Sequence, residues 1–192
     1  MHSDGTISTL PALIPEGKSG HSQSGLVLCG GIPTDTSCMT LKDGDWITSH
    51  TLQHKRWGHV SWQTDRGILL LGGHEDNAKM TTEFLSTTSS SSTEQFSLSY
   101  DTTHSCGIAV PNSDRLVISG GYSDTLGNAM ALVQEYSHHG ATQQLPSLNQ
   151  PRWGHACTHF YQDNNLVCTF YFIFFFWWVH LQMFRFLWLL ED

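Results

Sequence analysis

Twelve histidines and five cysteines are the side chains of this 192-residue sequence best suited to chemistry. His155, Cys157 and His159 alternate. On a strand they would share one face and offer the donor types of a soft-metal site. Glu16-Gly17-Lys18-Ser19 resembles the close of a phosphate-binding loop. That motif needs a further glycine five residues before its Gly-Lys, where this chain has Ala12. Gly20-His21-Ser22-Gln23-Ser24 nearly forms a nucleophile elbow, but the closing glycine arrives one residue late, at Gly25. None of these sets converges into a catalytic group, and the sequence assigns no catalytic residue, no metal and no cofactor.

The elements that would position these residues repeat. Apolar runs end in a double glycine three times, at Gly30-Gly31, Gly72-Gly73 and Gly120-Gly121. The intervals between them are 42 and 48 residues. A second feature precedes the runs: Lys18-Ser19-Gly20-His21, Arg56-Trp57-Gly58-His59 and Arg152-Trp153-Gly154-His155. His104 takes the corresponding place before the third double glycine. The spacing predicts four short strands per unit. Strand a starts at the histidine. Strand b is the apolar run, interior to its sheet because it does not alternate. Strand c follows a polar loop, as at Thr81–Leu85 and Ala131–Tyr136. Strand d follows a turn, clearest at Lys42-Asp43-Gly44-Asp45-Trp46, where Asp-Gly signals a hairpin. A sheet of this size cannot bury both faces alone, and radial packing of such units is the stable solution.

The Gly-Gly runs, the Arg-x-Gly-His element and Trp46 on strand d resemble kelch repeats. The resemblance covers about Thr6 to Val167. It departs in the second and third units, which lack a strand-d tryptophan, and in the fourth, which lacks Gly-Gly. It implies an all-β fold, a kelch-type β-propeller of four-stranded antiparallel blades, here an incomplete ring over residues 1–168. It also implies a non-catalytic scaffold that binds a protein partner through loops at one rim. The alternative is a kelch-bladed copper oxidase of the galactose-oxidase kind, which would need a Tyr/Cys/His constellation at the ring axis. Gly30, Gly31, Gly72, Gly73, Gly120 and Gly121, with His21, His59, His104 and His155, are then architectural. The partner-binding candidates are His74, Glu75, Asp76 and Asn77 in one b–c loop, Tyr122, Ser123 and Asp124 in the next, and Arg56 and Arg152 at the d–a turns. Trp46, Trp57, Trp62 and Trp153 are expected to pack between blades. Cysteines 29, 106, 157 and 168 fall at repeated core positions, where a free thiol acts as a small hydrophobe. Cys29 and Cys38 would bridge the b–c hairpin if the protein is secreted.

Composition breaks after Cys168. Residues 169–192 form a hydrophobic C-terminal segment, and Thr169–Leu190 holds half of the chain's aromatic residues. A membrane span, further blade strands and translated non-coding sequence are three readings of it. A span needs about 20 apolar residues, but His180, Gln182 and Arg185 interrupt this one. The net charge of −8 and the lack of any Lys/Arg run disfavour nucleic acid as a partner. No apolar signal-peptide core and no Asn-x-Ser/Thr site occurs. These features favour a cytoplasmic chain, with membrane anchoring through Thr169–Leu190 as the other reading.

Overall fold

The computed structural model describes residues 22–24, 27–32, 36–75, 78–162 and 165–171. Among them are sixteen strands and no helix. The first sheet runs in chain order through β1 (Ser22–Ser24), β2 (Val27–Cys29), β3 (Ser37–Lys42) and β4 (Asp45–Thr51). The second does the same through β5 (Val60–Gln63), β6 (Gly67–Leu71), β7 (Thr81–Ser86) and β8 (Thr93–Ser97). The third contains β9 (Cys106–Val110) and β10 (Arg115–Ser119). A small hairpin follows, β11 (Tyr122–Ser123) and β12 (Asn128–Ala129), before β13 (Val133–Ser137) and β14 (Gly140–Leu145) complete that sheet. A fourth pair joins β15 (Ala156–Gln162) to β16 (Asn165–Tyr171). All named pairings are antiparallel, and β6 and β10 are interior strands, as their apolar runs predict. The β3–β4 turn has Asp43 at φ 52° and Gly44 at φ 94°. Two successive positive φ angles are what the tight Asp-Gly hairpin requires.

The apolar runs do not alternate because each interior strand is buried on both faces. Leu69 and Leu71 of β6 join Val60, Trp62, Leu116, Ile118 and Tyr136 in one core, between the second and third sheets. Ile68 and Leu70 face the other way, onto Cys29, Cys38 and Leu52 beside the first sheet. In β10, Val117 turns to Ile108, Val110, Leu148 and Cys157 on the side of β15. Every inner sheet is therefore a layer between two neighbours. Each fully buried leucine contributes about 1.5–3 kcal/mol.

A repeated hydrogen bond ties the layers together. The second glycine of each pair donates its amide to a carbonyl at the start of the following sheet. Gly31 donates to Arg56 O (3.0 Å), Gly73 to Thr102 O (2.7 Å) and Gly121 to Arg152 O (2.8 Å). The first glycines have φ of 59°, 65° and 57°, and the second 104°, 106° and 104°. A Cβ on Gly72 would collide with the Thr102 carbonyl oxygen. Here glycine supplies both the left-handed conformation and the close backbone approach.

Two disulfides correct the expectation of free cysteines. Cys29 and Cys38 face each other across β2–β3 and are joined, as the conditional b–c bridge anticipated. Cys106 on β9 is joined to Cys157 on β15, so a covalent bond links the third sheet to the fourth. The sequence reading sets the two at equivalent repeat positions, but the inter-sheet bonds put Cys106 level with Ala156, one residue before Cys157. β16 continues through the place where the fourth Gly-Gly was expected, Thr169-Phe170. No described helix is long and apolar enough to cross a membrane. His21, Asp76, Asn77 and residues 172–192 lie outside the described residues.

Two stability predictions follow from these contacts. Gly72→Ala should destabilise by about 3 kcal/mol, from the left-handed backbone and the collision together. This would lower Tm by roughly 10 °C. Gly127→Ala is the control. Its φ is +66° but nothing stands within 4 Å of the added Cβ, so only the backbone cost should appear in thermal melts. Cys157→Ser should cost about 2–4 kcal/mol by releasing the cross-sheet loop. Reductant should lower Tm more in the wild type than in the variant, where only Cys29–Cys38 remains to be reduced.

Candidate functional site

The turns that lead into strand a divide their side chains between interior and surface. Arg56 is fully buried. It donates to Gly72 O (2.6 Å) and Thr81 Oγ1 (3.2 Å) and forms an ion pair with the buried Glu83 of β7. Glu83 also accepts from Gln53 N (2.7 Å), His54 N (3.2 Å) and Ser92 Oγ (2.5 Å). Burial pushes the Glu83 carboxyl up, but Arg56, Ser92 and Gln53 outweigh it and hold the group below its ordinary range. Burial pulls the Arg56 guanidinium below its ordinary value, against the attraction of Glu83. Arg152 is likewise buried, and its Nε donates to Gln150 O (3.3 Å). Both arginines were expected to meet a partner. Their side chains instead point into the fold, and the expectation is corrected on that ground.

The histidines of this element pack against the glycine pairs. A Cβ on Gly30 would stand 3.2 Å from His59 Cε1, and one on Gly120 would stand 2.8 Å from His155 Cε1. His155 Nε2 also lies 3.0 Å from Ser119 Oγ. Burial, then Arg152, lowers the His155 pKa to about 4, so the ring is neutral at pH 7. The third unit departs from the sequence reading by one residue. The inter-sheet hydrogen bonds make Thr102, not Asp101, the counterpart of Arg56 and Arg152. Ser105 therefore occupies the repeat-histidine place, where its Oγ donates to Gly120 O (3.0 Å). His104 stands where the other copies have Gly58 and Gly154. Its φ of 52° matches their 63° and 62°.

This shift puts His104 at the centre of a surface row. Its ring lies 5.0 Å from Trp57 and 5.5 Å from Trp153, nearly perpendicular to both. Tyr122 lies 6.1 Å from Trp153, and His74 lies 4.7 Å from Trp57. The backbone holds the row: His104 N donates to Gly58 O (2.7 Å), and Gly154 N donates to His104 O (2.8 Å). Three consecutive lead-in turns are thereby joined. His74 of the second sheet reaches across to Asp124 at 2.8 Å (Nδ1 to Oδ2), the turn residue of the small hairpin. Burial, then His74, lowers the His104 pKa against the pull of Asp124.

Of the partner-binding candidates, His74, Tyr122 and Asp124 come together on this rim. Glu75 is half-buried beside them with φ 105°. Ser123 is buried, donating to Asp101 Oδ1 (2.6 Å), and so does not face outward. Asp101 also accepts from Thr125 N (2.9 Å). Burial raises the Asp101 carboxyl, but Ser123 and Thr125 bring it below its usual range. Trp62 is a core residue stacked on His138 at 4.6 Å, as an inter-sheet packing role requires. Trp153 is not a packing residue, being 55% exposed. Sequence reasoning missed the role of Asp101 and the place of His104. It also missed Leu52, Leu98 and Leu148, all buried. Each stands four residues before a lead-in position, a spacing that could have fixed the third unit's register.

Among the described residues no group of three or more His, Cys, Asp or Glu could hold a metal ion. The row is instead an aromatic surface edged by carboxylates. No protein-family model matches the chain, and no curated protein matches it. Among solved structures, the structure of YjhT superposes with a TM-score of 0.65 at 11% identity. The match covers 82% of this chain and 60% of YjhT, so the chain spans less than two thirds of that protein. At this identity the likeness concerns the fold.

The buried ion pair makes stability acid-sensitive in a defined direction. Glu83 is depressed in the fold, so its contribution is present at neutral pH and is lost as pH falls through the folded value. His155 is also depressed, so the unfolded chain binds its proton first. Its contribution is lost as pH falls from 6.5, the ordinary histidine value, towards about 4. Urea titrations at pH 7 and pH 5 should therefore show a lower midpoint at pH 5. His155→Gln should narrow that gap. Glu83→Ala should cost about 3–5 kcal/mol at pH 7 by leaving Arg56 buried without its carboxylate.

Proposed function

We propose that this chain is a portion of a kelch-type β-propeller, its four-stranded sheets serving as blades. It acts as a non-catalytic scaffold that binds a protein partner at the rim formed by the b–c loops and lead-in turns. The observation that carries this reading is the row of Trp57, His104, Trp153 and Tyr122, held by backbone hydrogen bonds across three successive lead-in turns. Loops on a rigid sheet scaffold are where recognition concentrates. Tryptophan and tyrosine are the residues that most often dominate binding energy at protein interfaces. The exposed Leu126, at the turn of the β11–β12 hairpin, adds an apolar contact beside the row. The likeness of fold to YjhT supports this reading of the sheets.

A photo-crosslinking residue placed at Leu126 should capture the partner, and one placed at Thr142 on the outer strand β14 should not. Combined charge reversal, Glu75→Lys with Asp76→Lys, should weaken the capture severalfold. Capture from Thr142 alone, or unchanged capture by the double variant, would move the binding face away from this rim.

A further inference from the structure

The rim also specifies what kind of segment it accepts. The row contains two indoles, a phenol and an imidazole, and it carries no lysine or arginine. The arginines of the two neighbouring lead-in turns are buried and their charge is not offered at the surface. His104, lowered in pKa by burial and by His74, is neutral at pH 7 and adds no positive charge between the tryptophans. At the edge stand two carboxylates: Asp124, bonded to His74 (2.8 Å), and Glu75, which follows His74 in the β6–β7 loop. The chain as a whole carries a net charge of −8. Such a surface repels acidic segments and gives phosphates nothing to bind. Its π faces and carboxylates suit a cation, and the planar guanidinium of arginine stacks on indole better than a lysine ammonium does.

The backbone of His104 strengthens the argument. The other two lead-in turns have glycine at this place, and His104 keeps the same left-handed φ of 52°. A side chain here is strained where glycine would be free of strain. The imidazole is held at the row although glycine would meet the needs of the backbone there.

We propose that the row Trp57–His104–Trp153, with Tyr122, Asp124 and Glu75 at its edge, seats an arginine-bearing extended segment of the partner protein. The guanidinium lies on the Trp153 indole and its charge is met by Asp124 and Glu75. This rests on the rim being the binding face, and the test separates the two ideas.

The test uses the full chain and isothermal titration calorimetry with a blocked octapeptide of alternating arginine and glycine. Its neutral counterpart replaces each arginine with citrulline. The arginine peptide should bind at least tenfold more tightly. Trp153→Ala and Asp124→Asn should each weaken it at least fivefold. Glu94→Gln, on the exposed strand β8, should leave the affinity unchanged. His104→Gly restores the residue found in the other turns, so it should keep or raise Tm while weakening the peptide at least threefold. Equal binding of the citrulline peptide, or affinity unchanged by Trp153→Ala, would overturn the proposal. If the peptide fails while Leu126 still captures the partner, the rim stands and the arginine assignment falls. Capture only from Thr142 would remove both.

Discussion

The structure depends on one hydrogen bond made three times: the amide of the second glycine to the carbonyl that opens the next sheet. It is an inter-layer bond, so it fixes how each four-stranded sheet sits on its neighbour. The bond needs the backbone of one sheet to come within hydrogen-bond distance of the backbone of the next. Side chains would block that approach, and the chain must turn through two left-handed residues to make it. Glycine meets both demands. The histidine or serine three residues after the accepting carbonyl then closes over the glycine pair. His59 and His155 contact the pair of the preceding sheet, while Ser105 bonds Gly120 of its own sheet.

The same bond orders the side chains of the lead-in turn. Its first residue has its carbonyl committed to the sheet before, and its side chain goes inward. In the second sheet that side chain is Arg56, which gathers Gly72, Thr81 and Glu83 beneath the turn. Two buried charges are costly to desolvate, and such a pair holds only when the remaining donors and acceptors are met. Gln53, His54 and Ser92 meet those of Glu83. The pair thus ties strand c to the turn that begins strand a. The third turn has Thr102 in this place and dispenses with the pair, which shows that the glycine bond is the constant and the ion pair an addition to it.

Much of the fold could be read from the sequence because it rests on local rules. Glycine pairs at a regular interval, apolar runs without alternation and an Asp-Gly turn each name a backbone geometry. What escaped reading depends on distant partners. Nothing near Arg56 reveals Glu83, 27 residues on. Without it an arginine in a turn looks like a surface residue. Cys106 and Cys157 lie 51 residues apart, and only the stacking of sheets brings them together. The third lead-in turn misled for a different reason. The visible histidine, His104, is one residue out of register, and the true counterpart is a serine.

The division of the lead-in turn also explains how a rim can vary on a constant frame. Four residues make the turn. The first lends its carbonyl to the preceding sheet, the third adopts the left-handed conformation, and the fourth closes on a glycine pair. The second residue is bound to none of these tasks through its side chain. It is Trp57, Thr103 and Trp153 in turn; the two tryptophans join the row, and Thr103 is buried. The carbonyl at this place still serves the frame, accepting from His74 and Tyr122 in the second and third sheets. At Trp57 and Trp153 a change of side chain alters the surface and leaves the inter-sheet bond alone. His104 is the exception that fits the scheme, a side chain added at the third position, at the expense of backbone strain, to fill the gap that Thr103 leaves between two tryptophans.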